Sequence, residues 1–216
     1  MSSEHWYNSR GSLVSPFTPK AVPSVTTILD IINKPELHAW RERVGPAAAY
    51  KKMTESAQRG TIIHQLVSDW IEDRAVEPEN SDHEGALNGY INWTDKAHPT
   101  DIESEVFLSS KKYRYAGTAD IICRINGVLW LLDLKTSRLI SPIYGLQIRA
   151  YEQALFEKRG EHARTGIIQL TDTVKAGYRF KELDEPLKVF LAAKTLHAWQ
   201  HGFSKAPRFD GKTLYL

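Results

Sequence analysis

Cysteine is nearly absent from this sequence: Cys123 is the single one among 216 residues. One cysteine cannot close an internal disulfide, and it cannot supply the ligands of an iron–sulfur cluster or of a cysteine-based zinc site. A reducing compartment fits this composition. Long apolar runs are also absent, since none approaches about 18 residues and the N-terminus has no apolar signal core. We therefore expect no membrane span, no secretory signal and no membrane partner.

An excess of charge of one sign is missing as well, because 28 lysines and arginines face 26 aspartates and glutamates. The net charge of +2 neither demands nor excludes a nucleic-acid partner, so the distribution of the charges must decide. Residues 34–59 have a basic excess with aromatic residues between the charges, whereas residues 69–105 are strongly acidic. Such a basic stretch is most often a solvated face, but it also suits phosphate contacts and base stacking.

The length and the hydrophobic share of 42% are those of one soluble globular domain. We expect a flexible arm over residues 1–22 and a single domain over 23–216, with a helical insertion at about 72–100. Apolar periodicity, capping residues and turn residues predict the elements of an α/β protein. Helices are expected near 24–32, 35–40, 59–74, 82–97, 142–155 and 185–201, and strands at 102–108, 115–125, 128–136, 164–170 and 177–183.

The sequence predicts a β-hairpin over residues 115–136. An Asn-Gly dipeptide at 126–127 is the pair best suited to a two-residue turn, in which both residues need positive φ. With that turn Asp120 lies opposite Asp133, and Lys135 shares their face because side chains alternate along a strand. Opposed side chains are about 5 Å apart, where like charges destabilise the pair unless something neutralises them. Two carboxylates and an ammonium therefore predict a divalent cation.

Simpler interpretations of these residues stay open. A lone Asp-x-Lys is most often an ion pair or the cap of a following turn. A lone histidine on an apolar helix stripe, such as His64, is most often a core residue. Gln147 and Tyr151 lie one helical turn apart and fit an ordinary amphipathic helix. The acid opposed to the Asp-x-Lys motif favours the functional interpretation.

The combined motifs resemble a known nuclease superfamily. GTAD at 117–120, DLKT at 133–136 and Q-x-x-x-Y at 147–151 look like the signature of the PD-(D/E)xK nucleases. Within that superfamily the chain resembles the RecB-like exonuclease branch, whose G-T-x-x-H motif matches a stretch ending at His64. That branch also has a first-strand glutamate fifteen positions before the aspartate, and Glu105 matches it.

Three details refine this resemblance. The opening PSVTTIL, followed by Leu-x-x-Trp at 37–40, is similar to the mitochondrial genome maintenance exonucleases and their phage relatives. The third-strand acid is Asp133 rather than a glutamate, which is a common variant. The cluster cysteines of the CRISPR-adaptation nucleases are missing, which argues against that subgroup.

The resemblance implies a restriction-endonuclease-like core, in which helices flank a mixed central sheet behind an N-terminal helical module. It implies phosphodiester hydrolysis with Mg²⁺ or Mn²⁺, and an imidazole ligand favours Mn²⁺. The implied ligands are His64, Asp120, Asp133 and the backbone carbonyl of Leu134.

The resemblance also implies roles for the remaining candidates. Lys135 would position the attacking water and stabilise the transition state. Gln147 and Tyr151 would hold Lys135 or the scissile phosphate, and Glu105 would orient Lys135 from the neighbouring strand. The candidate DNA-binding residues are Trp40, Arg59, Lys111, Lys112, Arg114 and Arg149.

We therefore expect a metal-dependent exonuclease that degrades single-stranded DNA from a free end in replication, recombination or repair. The expected location is the cytoplasm of a bacterium or of a phage-infected host. The expected partners are DNA and proteins of replication or recombination. Two alternatives stay open: a structure-specific endonuclease or resolvase, and a catalytically inactive DNA-binding protein with the same fold.

Overall fold

The computed structural model describes residues 4–16, 18 and 20–202. Two predicted parts of the chain extend beyond the described residues: the arm, at residues 1–3, 17 and 19, and the domain, at residues 203–216. The helices are Val25–Leu29 (α1), Pro35–Val44 (α2), Pro46–Ile71 (α3), Ser81–Ala97 (α4), Pro142–Arg159 (α5) and Leu187–Gln200 (α6). The strands are Trp6–Tyr7 (β1), Leu13–Val14 (β2), Val22–Pro23 (β3), Thr100–Ser110 (β4), Tyr115–Ile125 (β5), Val128–Lys135 (β6), Arg164–Leu170 (β7) and Tyr178–Leu183 (β8).

A five-stranded sheet in the order β4-β5-β6-β7-β8 organises the chain. β4, β5 and β6 pair antiparallel, β6 and β7 pair parallel, and β7 and β8 pair antiparallel. A parallel pair needs a crossover connection, and α5 provides it between β6 and β7. This mixed sheet, flanked by helices behind an N-terminal helical module, confirms the predicted fold class.

Helices cover both faces of the sheet. Leu131 of β6 belongs to a core shared with α1, α5 and α6, whereas Leu132 belongs to a core shared with α3 and α4. Successive side chains of a strand point to opposite faces, so an unbroken apolar strand must be covered on both sides. The apolar run of β6 predicts such a central strand, and β6 lies in the middle of the five.

The helix that contains His64 is longer than the sequence pattern indicates. It begins at Pro46, directly after Gly45, whose φ of +83° ends α2 and allows the sharp turn into α3. Residues 54–58 of α3 are all exposed, and α2 has no buried residue. α2 and the first half of α3 therefore form a helical hairpin with little packing against the sheet. Among the described residues, no helix is long and apolar enough to cross a membrane.

Three short strands occur where the sequence predicts an extended arm. β1 lies between β2 and β3, and Trp6 pairs with both Val14 and Pro23. The Trp6 side chain is buried and its ring lies 6.2 Å from that of His197 in α6. The frequent Ser, Gly and Pro residues of this stretch conceal these few apolar contacts, which is why pattern analysis gives no strand here.

Candidate active site

The β5–β6 hairpin has the two-residue turn that the sequence predicts. Asn126 and Gly127 have φ values of +51° and +78°, as a type I′ turn requires. Ile125 faces Val128, and the register continues to Ile121 opposite Leu132. The next pair would bring Asp120 opposite Asp133.

The strands separate at that point, so the predicted direct opposition of Asp120 and Asp133 is not part of the ladder. The Leu134 backbone N–H instead donates to Asp120 Oδ2 at 2.7 Å. Two carboxylates at one cross-strand position repel each other, whereas a backbone N–H stabilises a carboxylate charge. The separation opens a gap between the ends of β5 and β6, and Asp120 lies in it.

His64 reaches this gap from α3. Its Nε2 lies 3.0 Å from the Leu134 carbonyl oxygen, and its Nδ1 lies 3.6 Å from Asp120 Oδ1 and 3.9 Å from Glu105 Oε1. A carbonyl can only accept, so Nε2 carries a proton, and Nδ1 faces the two carboxylates, where it donates when the ring is charged and offers a lone pair when the ring is neutral. Burial lowers the pKa of His64, but the charge of Asp120 and the Glu105 hydrogen bond outweigh it and raise the pKa.

Glu105 is placed by an irregularity in β4. Its φ of +50° is uncommon for a residue other than glycine, and its expected pair with Asp120 is missing from a ladder that otherwise keeps one register from Glu103 to Ser110. Such backbone outliers concentrate at functional sites. The role in orienting Lys135 that the resemblance implies for Glu105 stays a prediction. In the structure the carboxylate of Glu105 faces His64.

One ligand atom each from His64, Glu105 and Asp120 lies within 4.8 Å of the others. One imidazole nitrogen and two carboxylate oxygens form a donor set that suits Mn²⁺ and tolerates Mg²⁺. The side chains fit a divalent cation, because the two carboxylates would balance its charge and the imidazole would donate a lone pair to it. This group shares His64 and Asp120 with the predicted ligand set but contains Glu105 in place of Asp133. The Leu134 carbonyl contacts His64.

Asp133 and Lys135 form an ion pair beside this group. Asp133 Oδ2 lies 2.7 Å from Lys135 Nζ, and the two side chains are 2% and 17% exposed. Burial raises the pKa of Asp133 to about 6, against the opposing charge of Lys135. Burial also lowers the pKa of Lys135, but Asp133 and Asp120 outweigh that effect and raise it. The lysine is therefore an ammonium at neutral pH, and its Nζ lies 4.8 Å from the centre of the Tyr144 ring.

Tyr151 extends from α5 to the same end of the sheet. It is buried, and a Cβ added at Gly117 of β5 would lie 2.7 Å from Tyr151 Cε1, so glycine alone leaves room for the ring. Burial and the charges of Asp120 and Asp133 raise the Tyr151 pKa, against a hydrogen bond with Gln147. Gln147 and Tyr151 are therefore neighbours of each other, and Tyr151 lies within the field of the two acids. Their role in holding Lys135 or the scissile phosphate stays a prediction.

Arg59 is the candidate DNA-binding residue that contacts the residue after β6. Its guanidinium binds both carboxylate oxygens of Asp82 at 2.6 and 2.8 Å and donates to the Thr136 carbonyl at 3.1 Å. Thr136 directly follows Lys135. Sequence analysis missed Asp82, because no local pattern relates residues 23 positions apart on two different helices.

The other DNA-binding candidates lie further from the acids. Lys111, Lys112 and Arg114 are exposed in the β4–β5 turn, at the sheet end where β6 finishes. Trp40 is half-buried on α2, whose main contacts are with α3. Arg149 lies two residues from both Gln147 and Tyr151, which places it on the opposite side of α5. The structure does not bring Arg149 to the site.

Comparison with known proteins gives distant structural likenesses. No protein-family model matches the sequence, and no curated protein matches it. Solved structures similar to this chain include exonucleases. SSO0001 is 17% identical over 88% of this chain and 79% of that one, with a TM-score of 0.45.

Two further structures are similar at the same level. A proposed exonuclease from Eubacterium rectale is 12% identical over 69% of this chain and 65% of its own, with a TM-score of 0.43. The alkaline exonuclease LHK-Exo from Laribacter hongkongensis, solved with dAMP, is 13% identical over 70% of this chain and 84% of its own, with a TM-score of 0.40.

Proposed function

We propose that this protein is a divalent-metal-dependent exonuclease that hydrolyses single-stranded DNA from a free end. One observation supports this most directly: the ligand atoms of His64, Glu105 and Asp120 lie within 4.8 Å of one another beside the buried ammonium of Lys135. A cation-binding group alone would suit a structural ion. A lysine fixed beside it adds a proton donor and a positive charge for a reacting phosphate.

His64, Glu105 and Asp120 would hold the cation, and Asp133 lies near enough to face the same gap. A bound Mg²⁺ or Mn²⁺ would neutralise charge on a phosphate and lower the pKa of a coordinated water. Glu105 is the most exposed of the three ligands, with 45% of its side chain accessible, so the cation site is open on the Glu105 side.

Lys135 acts from the other side of the gap. Asp133 holds its ammonium by an ion pair, which fixes the direction of Nζ and keeps the group charged. From there Lys135 can orient an attacking water and stabilise negative charge on the phosphate oxygens. The raised pKa of Tyr151 keeps its hydroxyl protonated, so this group can serve as a hydrogen-bond donor at the same end of the sheet.

The α2–α3 hairpin supports a single-stranded substrate. Its exposed surface includes Lys51 and Lys52 beside Tyr50, whose side chain is 71% exposed. Cationic side chains attract the phosphate backbone, and aromatic rings stack on bases that are not paired. Trp40 on α2 belongs to the same hairpin. Action in replication, recombination or repair, with DNA and proteins of those processes as partners, is part of this proposal.

A cleavage assay with Lys135→Ala tests the reaction. The substrate is linear single-stranded DNA with Mn²⁺ or Mg²⁺, and a chelator removes the ion in a parallel sample. We expect a loss of cleavage of about 10²–10⁴-fold, while DNA binding stays near that of the wild type. Lys188→Ala is the matched control, because Lys188 is exposed on α6 and pairs with no other described residue. Near-normal cleavage by Lys135→Ala would contradict the mechanism.

The substrate form separates the alternatives. Circular single-stranded DNA has no free end, so an exonuclease leaves it intact while it degrades the linear form. Cutting of the circle, or of branched duplexes in preference to linear strands, would indicate a structure-specific endonuclease. Binding without cleavage in either metal would indicate a catalytically inactive DNA-binding protein.

A further inference from the structure

A polar groove lies between α4 and the β7–β8 turn. Its volume is about 490 Å³, within the range of about 300–1,000 Å³ that is typical of small-molecule sites. Gly85 and Asn88 of α4 form one wall, and Thr171 and Lys175 of the turn form the other. Arg59 lines the groove at the point where it also donates to the Thr136 carbonyl. The groove therefore adjoins the end of the catalytic strand.

The charges that line the groove cancel. Arg59 and Lys175 contribute two positive charges, and Asp82 and Asp172 contribute two negative charges. The charge of Arg59 is already matched by its two hydrogen bonds to Asp82. A groove of this kind has no net attraction for a phosphate, but it suits a neutral polar ligand.

The polar groups of the groove are not all used by the fold. The side chains of Asn88 and Lys175 pair with no other described residue, although both line the groove. An asparagine amide offers a donor and an acceptor side by side, which is the pattern that pairs with the edge of an adenine base. The Ser81 hydroxyl also lines the groove, whereas the Thr171 hydroxyl is already hydrogen-bonded to Thr173.

We propose that this groove binds the nucleobase next to the scissile phosphate, with Asn88 reading the edge of the base. The proposal rests on the proposed function, since it assigns a base site to the same DNA strand. The phosphate then lies at the ends of β5 and β6, where the cation ligands and Lys135 are, and the attached base enters the groove past Arg59.

Gly85 provides a way to fill the groove without disturbing the fold. A Cβ added at Gly85 would meet nothing within 4 Å, so a large side chain there extends into the open space. Gly85→Phe fills the groove, and Gly85→Ala is the matched reference that leaves it open. Thermal unfolding of both variants shows whether the phenylalanine is accommodated. Asn88→Ala is the second variant if it is not.

The experiment measures equilibrium binding of single-stranded oligonucleotides in the Lys135→Ala background, so that no cleavage occurs. One oligonucleotide is intact, and others have an abasic nucleotide at the first or second position from either end. In the Gly85→Ala protein we expect one of these abasic substitutions to weaken binding about tenfold. In the Gly85→Phe protein the intact and abasic strands should bind equally, because the groove is no longer open to the base.

Two results would overturn the base site. The first is an unchanged affinity of Gly85→Ala for every abasic strand, and the second is an equal loss of affinity in Gly85→Ala and Gly85→Phe. In each case the groove does not bind a base. Because the readout is binding, it is independent of cleavage. Failure of the exonuclease proposal would be seen instead in the cleavage assay, as an intact linear strand after incubation of the wild type with Mn²⁺ or Mg²⁺, or as cutting of the circular strand.

Discussion

Replacement of Gly89 by alanine should destabilise the protein, against the usual effect of alanine in a helix. A Cβ at Gly89 would lie 2.4 Å from the Gly177 carbonyl oxygen and 2.8 Å from the Gly177 carbonyl carbon. Both groups belong to backbones, so α4 or the β7–β8 turn must move by roughly 1 Å to restore van der Waals contact. The same carbonyl accepts a hydrogen bond from Thr171 N at 2.9 Å, which resists that movement.

The magnitude follows from two opposing terms. Overpacking costs about 1–3 kcal/mol, and a clash with two backbone atoms lies in the upper part of that range, at about 2–3 kcal/mol. Alanine gains up to about 1 kcal/mol over glycine in a helix interior, so we expect a net loss of about 1–2 kcal/mol. For a chain of this size that loss lowers the melting temperature by about 2–8 °C.

Gly85→Ala is the matched control, one helical turn away on the same helix. Nothing lies within 4 Å of a Cβ at Gly85, so only the helix term remains and we expect a gain of up to about 1 kcal/mol. Urea denaturation of both variants measures the two free energies of unfolding. If Gly89→Ala were as stable as Gly85→Ala, the close contact between α4 and Gly177 would be wrong.

Three further substitutions test other parts of the structure. Gly127→Ala should lower the free energy of unfolding by about 1 kcal/mol in urea denaturation, because Gly127 has a φ of +78° in the hairpin turn. Gly117→Ala should displace Tyr151, because the new Cβ would lie 2.7 Å from its Cε1. We expect cleavage to fall about tenfold or more, while circular dichroism shows that the protein is still folded. Arg149→Ala should cost about 1–3 kcal/mol of stability, because it removes the guanidinium that pairs with the fully buried Glu152. A large loss of DNA affinity with unchanged stability would contradict this structural role of Arg149.

Local sequence signals were sufficient for the hairpin that contains Asp120 and Asp133. The Asn-Gly dipeptide at 126–127 determines the turn, and the turn determines the register of every pair up to Ile121 and Leu132. The apolar run of β6 likewise indicates a strand buried on both faces. These features depend on residues close in sequence, whose geometry is set by backbone conformation and side-chain alternation.

The details of the site depend on contacts that no local pattern encodes. Glu105 joins His64 because β4 is irregular at that residue, and nothing in the sequence IESEVFL marks the irregularity. Arg149 is a plausible DNA contact by charge and position, but its guanidinium pairs with Glu152, whose carboxylate is also 2.8 Å from His162 Nδ1. Such pairings are decided by how α5 rotates against the sheet, which the periodicity of one helix does not determine.

The separation of β5 and β6 also changes the physical reason for expecting a cation. Direct opposition of Asp120 and Asp133 would leave one repelling pair for an ion to neutralise. In the structure each acid has its own partner: Asp120 accepts from the Leu134 N–H, and Asp133 pairs with Lys135. With Glu105 included, three carboxylates and one ammonium leave a net charge of −2, apart from the charge of His64. The reason to expect a divalent cation is therefore the negative charge of the whole group. Lys135 remains charged and oriented because Asp133 forms an ion pair with it.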